Sequence, residues 1–313
     1  MRYYYAPLEG ITDATFRKLH HKYFPGVDKY FMPFLSPTIH RCLTGREARE
    51  LPRADSVQFA AVPQLLGKSV EDMLWAIGVC SDLGYDEVNI NLGCPSGTVV
   101  SKGKGSGMLS DLSALDAFLD AICARAVLPV SLKTRIGVND AESWEKLLEI
   151  YRDYPVKELT VHPRIRKAFY KGDCDLDAFA RAAEGSPFPV CYNGNVCSPA
   201  DAEAIAARFP TVSSIMIGRG LVADPGMLSG GTDRATLKAF LTELSDTYCI
   251  VFESKRNAIY RMKDNWHYLI SLFEGADRHW KELRKCTDYD RFTAIANDII
   301  ETLPMRQHPE INW

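Results

Sequence analysis

The sequence lacks most of the features that would place it in a special class. Its nine cysteines are an odd number and none forms a CxxC pair. That argues against a disulfide framework and against a thiolate zinc site, so no metal is expected. No apolar run approaches the ~20 residues needed to span a bilayer. The opening residues, MRYYYAPLEGITDATFRK, carry Glu9 and Asp13 early and do not read as a signal peptide. Neither sign of charge dominates, because 37 Lys and Arg against 40 Asp and Glu leave a formal net charge of -3. A polyanionic partner would therefore be held by a local basic surface rather than by global charge. No GxGxxG follows the first candidate strand, which weighs against a doubly wound dinucleotide-binding sheet. What remains is an ordinary globular balance, 46% hydrophobic and 25% charged, best suited to a reducing cytoplasm.

What is present is alternation. Short apolar runs recur at YYYAPL (3–8), YFMPFL (30–35), AAVPQLL (60–66), EVNINLG (87–93), LPVSLKTR (128–135), KELTVHP (157–163), FPVCYNG (188–194) and SSIMIGR (213–219). Helix-period segments lie between most of them, at 70–84, 112–126, 143–154 and 198–209, the last opened by the cap-and-proline pair Ser198-Pro199. The stretch 36–56 is irregular. About eight strand–helix units with right-handed crossovers predict a (β/α)8 TIM barrel over residues 1–230. After the Gly-rich joint SGGTDR (229–234) no strand pattern appears, and residues 231–313 read as a second, helical domain of three or four helices. One of these helices gathers Lys255, Arg256, Arg261 and Lys263, with Tyr260, Trp266, His267 and Tyr268 among or just after them. The functional reading is a phosphate-contacting surface with stacking groups. Taken alone, the cluster is better read as a solvated basic face with aromatic packing.

A barrel of this kind carries its active site at the C-terminal ends of the strands. Those ends offer Pro7 and Glu9, Gln64, Asn91 and Cys94, Lys133 and Arg135, His162 and Arg164, Asn193-Gly194-Asn195, and Gly218-Arg219-Gly220. Taken singly, each has a plainer reading. Gln64 could cap a strand, Lys133 could point to solvent, His162 could be a satisfied core histidine, and Cys94 could be a small inert hydrophobe. All of those readings would have to hold at once. NGN (193–195) and GRG (218–220) at the seventh and eighth strand ends also match the place where such barrels bind phosphate.

With these residues assembled, the sequence resembles the tRNA-dihydrouridine synthase family. APLEGITDATFR, VPQLLG, NINLGCP followed by GKGSGML, SLKTRIG, TVHPR, YNGNV and IMIGRG match its motifs in order, and YRMKDNWHYL resembles its helical RNA-binding domain. The resemblance implies FMN as cofactor, NADPH or NADH as reductant, tRNA as substrate, and a monomer. It places Pro7, Leu8 and Glu9 along the flavin and Gln64, Lys133 and His162 at its pyrimidine edge. Asn193, Gly194, Asn195, Gly218 and Arg219 would hold its phosphate. Asn91 would lie beside the substrate base, and Arg135 and Arg164 would face base or phosphate. Lys102, Lys104, Lys255, Arg256 and Arg261 would meet RNA. Cys94 would be the general acid, protonating uridine C5 after hydride transfer to C6, and so should rest as a thiol. The chain departs from the family at Ser96-Gly97, where a lysine often follows the Cys-Pro pair, and the glycines at 97, 103, 105 and 107 suggest a mobile lid that carries Cys94. Other readings of the same residues are a flavin barrel reducing a free pyrimidine, a phosphate-binding lyase with Lys133 as Schiff-base nucleophile, and a non-catalytic RNA-binding protein.

Overall fold

The computed structural model describes residues 1–311. Strand β1 (Arg2–Tyr5) leads to helix α1 (Ala14–Tyr23), and β2 (Lys29–Phe31) to the short α2 (Gly45–Glu50). Strands β3 (Ala61–Val62) and β4 (Gln64–Leu65) precede α3 (Val70–Asp82), and β5 (Val88–Leu92) precedes α4 (Gly97–Val100) and α5 (Leu112–Arg125). Then come β6 (Val130–Arg135), α6 (Trp144–Arg152), β7 (Leu159–His162), α7 (Leu176–Gly185), β8 (Val190–Asn193), α8 (Pro199–Arg208), β9 (Ser214–Ile217) and α9 (Arg219–Ala223). All the strand pairs are parallel, in the order β3-β2-β1-β9-β8-β7-β6-β5-β4.

The two ends of that order are pieces of one stave. Pro63 separates β3 from β4, and it has no N–H to give to a ladder, although its carbonyl accepts from the Asn89 N–H at 2.8 Å. The sheet thus closes into the expected (β/α)8 barrel. The irregular stretch 36–56 yields only α2, held by a capping box between Thr44 and Glu47. Ser198 caps α8 as its sequence predicts, with Asp201 closing the box.

The period of two along each strand sorts the side chains. Val88, Ile90, Leu92, Leu132, Val161, Ile215 and Ile217 join the apolar layer between barrel and helices. Tyr4, Ala6, Phe31, Val62, Cys191 and Met216 form a separate cluster inside the barrel. Most inward positions that alternate with apolar ones on β5 to β8 are polar, Asn89, Asn91, Ser131, Lys133, His162 and Asn193 among them, with Cys191 the apolar exception.

Beyond the barrel lie four helices, α10 (Arg234–Val251), α11 (Lys255–Leu269), α12 (Asp277–Lys285) and α13 (Tyr289–Thr302). They are seated on the barrel rather than tethered to it. Phe240 of α10 meets Phe16 edge-on at 5.7 Å and Phe24 at 5.3 Å, and α11 packs along α9. Helix α9 in turn sits hard against the preceding unit, because a Cβ on Gly220 would come 2.1 Å from the Val196 carbonyl oxygen. Gly220→Ala is therefore expected to lower stability by about 1–3 kcal/mol, as overpacking does. A urea denaturation midpoint equal to that of the unaltered chain would show that α9 can shift to make room.

Candidate active site

The upper end of the barrel opens into a cavity of about 900 Å³. It brings together thirteen residues that the sequence singles out: Pro7, Leu8, Glu9, Gln64, Asn91, Cys94, Lys133, Arg135, His162, Asn193, Gly194, Gly218 and Arg219. The register explains the convergence. Asn91 of β5 stands opposite Lys133 of β6, and Arg135 stands opposite His162 of β7, so all four side chains project from one end of adjacent strands.

The thiol is placed by Asn91. Its Oδ1 accepts the N–H of Gly93 at 3.0 Å and of Cys94 at 2.9 Å, which folds the chain back just after the strand. The Cys94 carbonyl is then pinned from the other side, accepting from Ser106 Oγ at 2.7 Å. Burial raises the thiol pKa, outweighing the nearby Arg135 and Lys133, so Cys94 stays protonated at neutral pH. The mobile lid expected from the glycines is corrected here. Gly105 through Leu109 are buried, and Gly105 (φ +57) packs directly against Cys94, where a Cβ would lie 3.0 Å from the cysteine Cβ. Gly105 and Gly107 give close approach rather than looseness, whereas a Cβ on Gly97 would meet open space.

Below the thiol runs a single file of amides. Asn91 Nδ2 donates to Gln64 Oε1 at 2.8 Å, Gln64 Nε2 donates to Asn89 Oδ1 at 2.8 Å, and Asn89 Nδ2 donates to Ser131 Oγ at 3.0 Å. Ser131 Oγ donates to Glu87 Oε1 at 2.8 Å, and Lys29 and Lys157 each donate to Glu87 Oε2 at 2.9 Å. The two ammonium groups and the serine hold Glu87 ionised against the cost of burial.

The other wall is cationic. Lys133 Nζ donates to Asn193 Oδ1 at 2.6 Å, and Asn193 Nδ2 donates to the Met216 carbonyl at 2.8 Å. The ammonium meets water only through the cavity, and burial together with Arg135 pulls its pKa down to about 7. His162 is held neutral by burial and by Arg135 and Lys133. Arg164 Nη1 donates to its Nε2 at 2.8 Å, which leaves the ring proton on Nδ1. Arg219 is lowered to about 10 by burial and by Arg164. Between Arg135 and Arg219 stands Tyr170, with the guanidinium carbons 5.3 and 5.1 Å from its ring centre. Phe169 has φ 51, outside the usual range for a non-glycine residue, and this turn delivers Tyr170 to the cavity.

Several predicted residues lie elsewhere. Arg164 is buried and does not reach the cavity wall. It braces His162 and donates to Asn195 Oδ1 at 2.7 Å and to the Gly172 carbonyl, so Asn195 too stands behind the wall. Arg135 does line the cavity but spends two N–H groups on the carbonyls of Gly93 and Ile165. Lys102 and Lys104 sit in the short turn behind Cys94, outside the cavity. Lys255 and Arg256 are exposed on α11, whereas Arg261 donates to the Gly10 carbonyl and stacks its guanidinium 5.7 Å from the Phe252 ring. Arg261 is thus a joint between α11 and the barrel. The aromatic cluster also divides: Trp266 is core, Tyr260 is exposed, and His267 and Tyr268 line the cavity. Sequence reading missed Phe34, Phe169, Tyr170, Ser271, Glu310 and Ile311 as cavity residues. Phe34 lies in the apolar run 30–35 and Ser271 in the helical turn after α11, and the other four lie in irregular or terminal segments without a period to read.

The family model for dihydrouridine synthase (Dus) matches residues 4–302. Among similar proteins, a tRNA-dihydrouridine synthase B of Proteus vulgaris is 27% identical over 221 residues, 70% of this chain and 67% of that one. A probable tRNA-dihydrouridine synthase of Rhizobium leguminosarum bv. phaseoli is 29% identical over 233 residues, 73% of this chain and 72% of that one. Among solved structures, a mutant morphinone reductase in complex with tetrahydroNAD superposes with TM-score 0.52 at 9% identity, covering 73% of this chain and 85% of that chain. At that identity the likeness is one of fold.

The site makes a prediction about proton binding. An unfolded Lys133 keeps its proton to 10.5 while the folded one gives it up near 7. Between those values the unfolded chain binds more protons, so the penalty for burying Lys133 shrinks as pH rises. Comparing the flavin-free protein with Lys133→Met between about pH 7 and 9, below the range where buried thiols titrate, the unaltered chain should gain stability on the variant. A stability difference independent of pH would show that Lys133 keeps an ordinary pKa.

Proposed function

The chain belongs to the dihydrouridine synthase family, and from that premise we propose that it reduces uridine in tRNA to 5,6-dihydrouridine, with FMN as bound cofactor and NADPH or NADH as reductant. The observation that carries this reading is the pairing, in one cavity, of a thiol held protonated at Cys94 with an inward lysine at Lys133 on the neighbouring stave.

The residues present fit a flavin. Gln64 and Lys133 offer N–H donors to a ring edge rich in carbonyl oxygens, Ala6, Pro7 and Leu8 give an apolar wall, and Asn193, Gly194, Gly218 and Arg219 gather where a phosphate would lie. The cavity also has the size of a cofactor site. Bound there, FMN supplies the hydride that uridine reduction needs. Lys133 and Arg219 lend positive charge to a cofactor that carries more negative charge when reduced. Asn91 orients the base, and Cys94 holds the proton destined for its C5 carbon. The target base must leave its stack to enter a cavity this deep. A lyase using Lys133 as nucleophile is disfavoured, since the lysine is committed to Asn193 and the thiol would be left without a task.

RNA contact falls to the outer face of α11 and to the turn behind Cys94. Arg256 and Lys263 flank the exposed Tyr260, 5.8 and 5.5 Å from its ring centre, and Lys255 is exposed one turn earlier. Lys102 and Lys104 extend positive charge beside the cavity. We assign residues 231–313 as the RNA-binding part and residues 1–230 as the catalytic part of a cytoplasmic monomer.

Two measurements test this reading. Cys94→Ala should retain bound flavin and its reduction by nicotinamide while dihydrouridine formation in tRNA falls by about 10²–10⁴-fold, the range for loss of a general acid. Product formation at the native rate would remove Cys94 from the mechanism. The double variant Arg256→Gln with Lys263→Gln should weaken tRNA binding and flatten its salt dependence by about one to two phosphate contacts, with flavin content unchanged. An unaltered salt slope would place the RNA elsewhere.

A further inference from the structure

The hydrogen-bonded file inside the barrel has a direction, and that direction is imposed from both ends. A carboxylate can only accept, so Ser131 must donate to Glu87 and accept from Asn89. Asn89 must then turn its oxygen to Gln64, and Gln64 its oxygen to Asn91. At the top, Asn91 must offer its oxygen to the two backbone N–H groups of Gly93 and Cys94. Both ends demand the same polarity, with every amide N–H pointing down the file. Each amide nitrogen has a second proton. Those of Gln64 and Asn91, the two members that line the cavity, are left to face a ligand.

We propose that Glu87, through Ser131 and Asn89, is a positioning residue that fixes the amide orientation of Gln64 to match that of Asn91, which Gly93 and Cys94 hold, so that the cavity presents N–H donors and selects ligands with carbonyl acceptors. This rests on the flavin and uridine reading above, and it deepens it. Flavin and uracil both carry ring carbonyls, whereas cytosine presents an amino group at the position of the uracil 4-carbonyl. Glu87 touches neither ligand. It lies at the opposite end of the barrel, paired with Lys29 and Lys157.

Glu87→Gln is nearly isosteric and makes a sharp test. The two lysines can only donate, so they draw the new amide oxygen toward themselves and turn its NH2 toward Ser131. Where Ser131 turns its proton to Asn89, Asn89 flips and Gln64 flips after it; where it turns that proton to the Val88 carbonyl, 3.3 Å away, it accepts from both amides and the file stands unchanged, the outcome that would overturn the proposal. Asn91 cannot follow, because Gly93 and Cys94 hold its oxygen. In the flipped file two NH2 groups face each other at the Gln64–Asn91 contact, beside the cavity.

The expected results for Glu87→Gln are a folded protein whose flavin dissociation constant rises about tenfold, the effect of losing one net hydrogen bond, and a displaced side-chain NH2 signal for Gln64. The chain has three glutamines, Gln58, Gln64 and Gln307, and Glu87→Gln adds a fourth, so ¹⁵N-glutamine labelling with Gln64→Glu as assignment control in both backgrounds isolates that signal in flavin-free protein. Lys157→Met leaves the carboxylate in place and should lower stability without moving either readout. Equal loss of flavin affinity in Glu87→Gln and Lys157→Met would reduce Glu87 to a structural role and overturn the proposal. So would a Gln64 signal unmoved by Glu87→Gln. Should Glu87→Gln fail to fold, Ser131→Ala cuts the file while sparing the ion pairs and must shift the Gln64 signal, with an unshifted one again overturning the proposal. If the unaltered protein takes up no flavin, the cofactor reading fails, and the Gln64 signal still decides the orientation.

Discussion

The cavity exists because the first strand pairs with the last. Arg2 through Tyr5 lie beside Ser214 through Ile217, and the Ala6 N–H continues the ladder to the Ile217 carbonyl at 2.8 Å. This closure joins segments two hundred residues apart, a contact whose chain-entropy cost grows only slowly with loop length. It sets Ala6 beside Gly218, where a Cβ on the glycine would be 3.3 Å from that of the alanine. The loop carrying Leu8 and Glu9 thereby meets the loops carrying Asn193 and Arg219. An open sheet of the same strands would leave these groups at opposite edges.

Closure also creates an interior that must be filled without orphaned polar groups. The two ends solve this differently. At the lower end, Glu87 is neutralised by two lysines, and Glu158 accepts from Ser214 Oγ at 2.9 Å and from the Tyr4 hydroxyl at 3.2 Å. At the upper end, positive groups crowd one another instead. Burial, reinforced by Arg135, Lys133 and Arg164, holds His162 neutral, and burial with Arg135 pulls Lys133 down toward neutral pH. Such a cluster is electrostatically unfinished. An anionic or carbonyl-rich ligand completes it, and by linkage its binding draws protons onto Lys133. The lower end contributes rigidity and the upper end contributes binding.

Much of this was legible in the sequence because a buried parallel strand enforces a strict period. In EVNINLG, SLKTR and LTVH the apolar residues alternate with Asn, Lys, Arg and His, and inside a closed barrel that alternation tells which residues point inward. Most of what escaped lacked a period. Tyr170 enters on an irregular loop through a turn at Phe169, and Glu310 and Ile311 return to the cavity from beyond the last helix. Composition also misled in two places. Two of the glycines read as mobility, Gly105 and Gly107, are packing contacts in the turn behind Cys94. Arg261, read with its basic neighbours as a surface charge, faces inward because its position on α11 differs by one residue from the exposed Tyr260. Exposure on a helix changes by about 100° per residue, so a cluster in sequence need not be a cluster in space.

Arg261 bears on what the boundary near residue 230 means. The secondary-structure pattern changes there, yet the packing crosses it. Arg261 donates to the carbonyl of Gly10, in the loop that carries Leu8 and Glu9 to the cavity, and its charge steadies Asp13, the cap of α1. On the same helix, His267 and Tyr268 form part of the cavity wall while Arg256, Tyr260 and Lys263 face outward. One rigid rod therefore touches the proposed RNA surface, the cavity wall and the first loop of the barrel. A barrel cut at 230 would lose the group that holds its first loop from above. The helical part is best understood as the last wall of the catalytic cavity, with the proposed RNA surface on its other side.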